Sequence, residues 1–357
     1  MYQIAVIAGD GVGPEVTVET LKVAEQLITE FRLPIRFDKF PYGADHYLSE
    51  GITIPETVFE EWPKTYCAVL LGALGDTRVP SNVHARDILL GLRFKLDLYV
   101  NFRPVKLIDK RYCPLKHISG EEQVDFVVFR ENTEDVYAGV GGSFKKDTPG
   151  EVAIENSIHT YRGVSRIIRA AFQYAAAEGR PGVMMADKGN AMAHAGHLWQ
   201  RVFGEIAREF PQIRAGHIYI DALVMDIIRD PSRYSVIVTS NMFGDILTDA
   251  AAQVQGGMGL AASANYDPGH ETFMGLYEPV HGSAPDIAGK GRANPIASIL
   301  SFQLLLKRLG MIQPAEVLYR AVKQTLAAGT VTPDLGGDCS TGDVGDMICR
   351  YIRERTQ

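Results

Sequence analysis

Asn241-Met242-Phe243-Gly244-Asp245-Ile246-Leu247-Thr248-Asp249 follows an apolar, β-branched run, Tyr234-Ser235-Val236-Ile237-Val238-Thr239. The junction reads as a buried strand feeding a helix, the order of an α/β protein. Ile246, Leu247 and Ala250 begin the helical pattern. Asp245 and Asp249 are four apart, so they stack on one helical face. Two like charges at that spacing repel unless something cationic lies between them. A hard divalent cation, Mg²⁺ or Mn²⁺, prefers carboxylate oxygens and keeps positions open for a substrate. For this stretch alone, an exposed helix with two solvated acids is the competing reading.

With 357 residues the chain can hold two core-bearing lobes or one large α/β domain. Its net charge of −7 argues against a nucleic-acid partner and offers no polybasic membrane patch. No apolar run approaches the roughly 18 residues of a membrane span. Met1-Tyr2-Gln3 leads directly into strand-like Ile4-Ala5-Val6-Ile7, which leaves no room for a signal peptide, so a cytoplasmic protein is expected. Cys67, Cys113, Cys339 and Cys349 are scattered without metal-ligand spacing, as reduced structural thiols would be.

Ala8-Gly9-Asp10-Gly11-Val12-Gly13-Pro14-Glu15 invites a dinucleotide fingerprint, but Pro14 occupies the place of the third glycine. Pro14 suits the first turn of a helix running through Val23 to Leu27. Gly289-Lys290-Gly291 likewise fails as a phosphate loop, because Gly291 stands where Ser or Thr is needed. Arg93, Arg103 and Arg130 each close a strand-like or helix-like segment. A guanidinium matches a carboxylate bidentately, and three converging forks imply a substrate with at least two carboxylates; pairing with local acids such as Asp97 or Glu131 is the alternative. Gly182 to Ala186 reads as a strand delivering Asp187-Lys188-Gly189-Asn190. A lysine buried there could have its pKa lowered and serve as a base. His217 to Asp221 reads as a strand ending in the third acid that a cation on Asp245 and Asp249 would want. The glycine-rich segment Ala251 to Gly259 suggests close packing or a bend. Glu278-Pro279-Val280-His281-Gly282-Ser283-Ala284-Pro285-Asp286-Ile287, followed by Asn294-Pro295, is punctuated like a ligand loop.

Six of these motifs, taken in order, resemble the β-decarboxylating dehydrogenases, the family that includes isopropylmalate, isocitrate, homoisocitrate and tartrate/D-malate dehydrogenases. They are Gly9 to Glu15, Asn101-Phe102-Arg103-Pro104, Arg130-Glu131-Asn132-Thr133-Glu134, Asp187 to Asn190, Asn241 to Asp249, and Glu278 to Ile287. The resemblance implies an isopropylmalate dehydrogenase-like α/β fold of two lobes with a mixed sheet flanked by helices, not a Rossmann fold. Residues 1–100 and 255–357 would form the cofactor-side lobe, and 101–254 the substrate, metal and dimer-interface lobe. It implies a homodimer with shared sites, in which Lys188 and Asp221 serve the neighbouring subunit. Asp245, Asp249 and the partner's Asp221 would hold Mg²⁺ or Mn²⁺. Arg93, Arg103 and Arg130 would grip the substrate, Lys188 would act as base, and Tyr137 would protonate C3. Glu278, His281, Gly282, Ser283, Ala284, Asp286 and Asn294 would line the cofactor site. A carboxylate at Asp286 accepts hydrogen bonds from ribose hydroxyls and repels a 2′-phosphate, which favours NAD over NADP.

Leu89 and Leu90, just before Arg93, suit an isopropyl group where isocitrate enzymes resemble this region but carry a polar residue. 3-Isopropylmalate is therefore the first expectation. Arg86 and Ala191 depart from that pattern, Asn132-Thr133-Glu134 resembles the isocitrate and tartrate/D-malate branches more, and a D-malate or tartrate dehydrogenase is the second expectation. A non-catalytic regulatory subunit would lose base or metal residues, and all are present.

Overall fold

The computed structural model describes residues 1–356. In chain order the strands are β1 (Tyr2–Gly9), β2 (Ile35–Phe40), β3 (Ala68–Ala73), β4 (Val100–Lys106), β5 (Asp125–Glu131), β6 (Gly141–Phe144), β7 (Val152–Glu155), β8 (Gly182–Asp187), β9 (Arg214–Tyr219), β10 (Val236–Thr239), β11 (Ala262–Tyr266) and β12 (Leu276–Pro279). The chain forms two compact units. One holds Met1–Leu98, Pro104–Val124 and the chain from Ala252 onward; the other holds Tyr99–Arg103 and Asp125–Ala251. Pro104–Val124 thus packs with the first unit, where the sequence reading had put it in the second.

The first unit orders its strands β2-β1-β3-β12-β11. β1 runs parallel to β2 and β3, and β12 parallel to β3, but β11 is antiparallel to β12, so the sheet is mixed. Ile4 to Ile7 and all of β3 are buried, the mark of strands covered on both faces. The helices Gly13–Phe31, Ile296–Arg308, Ile312–Ala327 and Thr341–Thr356 pack together in this unit. Another cluster joins Ala5, Ile7, Val69 and Leu71 to Trp62, Ile88, Leu92 and Phe273. Pro14 does open its helix, which extends to Phe31. The glycines before it serve backbone approach: a Cβ on Gly9 would lie 2.0 Å from the Ala73 carbonyl oxygen, and one on Gly11 2.0 Å from that of Ser283. Both have positive φ, so the turn needs glycine twice over.

The second unit has β5, β10, β8 and β9 side by side and parallel. Tyr161–Ala177 buries one face, including Val164, Ile167, Ile168 and Phe172. β6 and β7 form a separate antiparallel hairpin. Asn241–Val254 is helical from its first residue, directly after β10. The glycine-rich bend lies beyond it, at Gly256 and Gly257, both with positive φ. Asp221 is not at a strand end as expected: β9 stops at Tyr219, and Asp221 stands in the first turn of the helix Ile220–Arg229. A carboxylate is favoured there by the amide groups of that turn. Among the described residues no helix is long and apolar enough to cross a membrane. Cys67, Cys113, Cys339 and Cys349 are unpaired, and burial pushes the Cys67 and Cys349 thiols up to about 11.

Candidate functional site

In the second unit, the helix Asn241–Val254 presents Asp245 and Asp249 to two arginines from neighbouring strands. Arg130, at the end of β5, is 1 % exposed. Its Nε donates to the Asn241 carbonyl oxygen at 2.8 Å and to Asn241 Oδ1 at 3.0 Å, which aims Nη1 at Asp245 Oδ1. Arg103, on β4, approaches Asp245 at 3.4 Å and Asp249 at 3.8 Å, and its Nη1 donates to Thr248 Oγ1. Tyr137 Oη donates to Asp245 Oδ2 at 2.9 Å, and the Tyr137 ring lies 5.3 Å from the Arg130 guanidinium carbon. Three side chains from separate segments, Arg130, Arg103 and Tyr137, therefore meet on the Asp245 carboxylate. Desolvation, with the Asp245 charge one turn away, raises the Asp249 carboxyl above its ordinary value, against the pull of Arg103 and Arg130.

Asp245 and Asp249 offer the oxygen donors that a hard dication takes. Among the described residues no three Asp, Glu, His or Cys side chains converge as a cation site. This chain therefore fits such an ion with two carboxylates and leaves the rest of its shell to other donors. Asp221 is instead 2.8 Å from Lys188 Nζ, and this hydrogen bond holds its carboxyl below the usual range. Lys188 follows β8 on a turn built around buried Asp187, which accepts from the Gly189 N–H at 3.0 Å and Gln200 Nε2 at 2.9 Å and lies 2.9 Å from His217 Nε2.

In the first unit, Leu89 and Leu90 are half-buried on the helix Val83–Lys95, and Leu89 packs on the core cluster. Arg93 is buried and donates to Glu278 Oε1 at 2.7 Å, which also accepts from Asn265 Nδ2 at 2.9 Å. An expected substrate residue and an expected cofactor residue are thus bonded to each other. His281 Nδ1 lies 3.0 Å from the Gly282 carbonyl oxygen. Burial depresses the ring's pKa, so it is neutral near pH 7. A carbonyl only accepts, so Nδ1 carries the proton and Nε2 is left as an acceptor, buried and without a partner. That orphaned acceptor fits a dinucleotide, whose amino and hydroxyl groups could donate to it. Ala284 holds a positive φ in the same loop, strain that a ligand loop can carry. Asp286 is exposed, with Lys290 Nζ 2.6 Å from its carbonyl oxygen. Asn294 is already engaged, by Asp334 at 3.1 Å and by the Ile296 N–H at 3.0 Å.

The sequence reading missed three positioning acids. Asp10 Oδ1 accepts the Ala44 N–H at 2.6 Å; its Oδ2 accepts the Gly75 N–H at 2.8 Å and meets His84 Nε2 at 2.8 Å, so it ties three segments together. Asp135 Oδ2 accepts the Met242 N–H at 3.0 Å and so caps the helix that carries Asp245 and Asp249. Burial opposes its ionisation, but bonds from Ser157, Met242 and Ser240 outweigh burial and hold its carboxyl below the ordinary value. Glu15 accepts the Gly289 and Gly291 N–H groups, so its carboxylate occupies the turn that resembled a phosphate loop. Asp10 lies between Gly9 and Gly11, Glu15 follows Pro14 and Asp135 itself has a positive φ, but nothing in the sequence names their partners.

The family model described as isocitrate/isopropylmalate dehydrogenase matches residues 3–348. The chain belongs to the isocitrate/isopropylmalate dehydrogenase family. Within it, the chain is 46 % identical over 352 residues to a Corynebacterium urealyticum protein named 3-isopropylmalate dehydrogenase, covering 98 % of this chain and 99 % of the relative. A Thermobifida fusca protein of the same name is 42 % identical over 353 residues, covering 99 % and 98 %. The crystal structure of isocitrate dehydrogenase from Methylococcus capsulatus superposes with a TM-score of 0.88 at 33 % identity, covering 99 % of this chain and 100 % of that one. Family membership also accounts for the mixed sheet and for the failure of the dinucleotide fingerprint at Pro14.

Proposed function

We propose that the chain catalyses the NAD-dependent oxidative decarboxylation of 3-isopropylmalate to 2-oxo-4-methylpentanoate and CO₂, a step of leucine biosynthesis. The observation that carries this reading is near-full-length identity of 42–46 % to relatives named 3-isopropylmalate dehydrogenase. The cluster on Asp245 supports the reaction type. The family resemblance assigns Arg93, Arg103 and Arg130 to the carboxylates of the malate. Asp245 and Asp249, with the partner's Asp221, would hold Mg²⁺ or Mn²⁺; Glu278, His281, Gly282, Ser283, Ala284, Asp286 and Asn294 would line the NAD site. When bound, the cation would supply Lewis-acid stabilisation of the charge that develops on the substrate, and NAD would supply the hydride acceptor.

The partner's Lys188 receives the C2 hydroxyl proton as the C2–H bond breaks. The C3–carboxylate bond then cleaves, CO₂ leaves, and its electron pair stays on the substrate. Tyr137 delivers a proton to C3, and its link to Asp245 fixes where the phenol points. Leu89 and Leu90 present apolar surface to the isopropyl group, worth roughly 2 kcal/mol if it is buried. Asp286 rejects a 2′-phosphate by charge.

A homodimer is supported by apolar side chains facing water: Val140, Phe144, Val152 and Ile154 on the β6–β7 hairpin, and Tyr219, Met225 and Ile228 around Asp221. An isolated two-stranded hairpin is marginal in water, so a covering subunit explains its composition.

The test is NADH formation by the purified protein with Mg²⁺ or Mn²⁺, comparing 3-isopropylmalate, D-malate and isocitrate. At least about a tenfold preference in kcat/KM over D-malate, about 1.4 kcal/mol, is expected. The reverse ranking would replace this reading by a D-malate or tartrate dehydrogenase, which exposed Arg86 and Ala191 favour. No turnover of any malate would favour a non-catalytic subunit.

A further inference from the structure

Asp135 opens the 3-10 turn Asp135–Ala138, which carries Tyr137, and its carboxylate caps the helix that carries Asp245 and Asp249. A residue only 2 % exposed thus joins the expected proton donor to the expected cation ligands. Asp135 holds φ at 70°, a left-handed conformation that costs aspartate less than most residues and that its bonds must maintain. Its N–H donates to the Ile158 carbonyl oxygen at 2.8 Å. Its Oδ2 accepts the Met242 N–H at 3.0 Å, and its Oδ1 accepts the Val136 N–H at 2.9 Å and the Ser157 hydroxyl. Ser157 is held in turn: its Oγ lies 2.7 Å from His159 Nε2, and Trp199 Nε1 lies 3.2 Å from His159 Nδ1. Trp199 belongs to the helix Ala193–Ala207 and is also buried.

An indole N–H only donates, so His159 Nδ1 accepts and the imidazole proton sits on Nε2. A second proton, on Nδ1, would set two N–H groups against each other, and burial lowers the ring's pKa against the pull of Asp135 and Glu134. Neutral His159 therefore donates from Nε2 to Ser157 Oγ, which leaves the serine proton for Asp135. Asp, Ser and His are also the residue types of a nucleophilic triad. A base, however, would present a bare Nε2 to the hydroxyl, and here that nitrogen carries the proton. His159 Nε2 is 3.9 Å from Asp135 Oδ1, so the carboxylate is reached through the serine. Each donor points the same way, from Trp199 toward an ionised carboxylate, the direction that favours its charge. We propose that His159 is a positioning residue: through Ser157 it fixes the Asp135 carboxylate, and with it the placement of Tyr137 against Asp245, a role that rests on reading Tyr137 as the C3 proton donor.

Nitrogen NMR of isotope-labelled histidine in the full-length protein reports the tautomer. The Nε2-protonated form is expected for His159, its signals identified by their loss in His159→Gln; an Nδ1-protonated ring would overturn the proposal. Steady-state kinetics with Mn²⁺ and 3-isopropylmalate, in water and in deuterium oxide, then read the role. His159→Leu is expected to lower kcat about tenfold or more and to move KM less than about threefold. It is also expected to raise the solvent isotope effect on kcat, because proton delivery to C3 becomes the slow step. A merely structural loss shrinks the active fraction and leaves the isotope effect unchanged, and that outcome would overturn the proposal. His159→Gln keeps a donor for Ser157 and is expected to recover kcat to within about threefold of the parent. Ser157→Ala cuts the same relay with the ring in place, and it keeps the test decisive if His159→Leu does not fold. If the parent turns over no malate, the catalytic reading fails on its own and the Met242 amide judges the relay. Its hydrogen exchange is expected to be about tenfold faster in His159→Leu, and unchanged exchange would overturn the relay itself.

Discussion

Gly244→Ala sets helix propensity against packing. Gly244 lies inside the helix Asn241–Val254, where alanine is favoured by about 1 kcal/mol on propensity. A Cβ there would sit 2.5 Å from Arg130 Cγ, 2.7 Å from its Cβ and 3.0 Å from its Cδ. These are stem atoms anchored to β5, and the guanidinium beyond them is fixed by Asn241 and Asp245, so the side chain cannot swing away. Overpacking costs about 1–3 kcal/mol, and losing a charged hydrogen bond about 1.5–3 more. The net is a destabilisation of roughly 1.5–5 kcal/mol, opposite in sign to propensity. A fork displaced by about 1 Å should also cost on the order of 10²-fold in kcat/KM. Chemical denaturation and steady-state kinetics on the same preparations measure both. A Gly244→Ala protein as stable as its parent, with kcat/KM within about threefold, would refute the reasoning.

Two other perturbations follow from the site. The raised Asp249 carboxyl has to be ionised to bind a dication, so protons should begin to displace Mn²⁺ at a pH above the ordinary aspartate range, near 4. The same shift means the unfolded chain ionises first as pH rises, so Asp249 opposes folding above that range and is neutral to it below. Asp249→Asn should therefore be the more stable protein at pH 7 and not at pH 3; Mn²⁺ affinity flat down to pH 4 would contradict the shift. Asp286→Lys should move preference from NAD toward NADP by about 1.5–3 kcal/mol, on the order of ten- to a hundredfold in the ratio of kcat/KM. An unchanged ratio would remove Asp286 from the ribose site.

Local physics is written in the chain. The β-branched run before Asn241 gave β10, the i,i+4 spacing placed Asp245 and Asp249 on one helix, and Pro14 opened its helix, because each depends on residues within a turn or two. The order of six motifs was enough for the family and its α/β class. Other features depended on meetings across the chain. Arg130 reaches Asp245 over 115 positions, Arg93 reaches Glu278 over 185, and Glu15 reaches Gly291 over 276. No periodicity encodes such pairings; they exist because parallel strands carry distant segments to a common edge. That is why the arginines were legible as carboxylate ligands while their partners were not. It is also why Asp10, Asp135 and Glu15 passed unnoticed: a side chain that holds a turn in place looks, in sequence, like any solvated acid. The segment 104–124 joined the first unit for the same reason, since burial against the chain beyond Ala252, not composition at the boundary, decides where it packs.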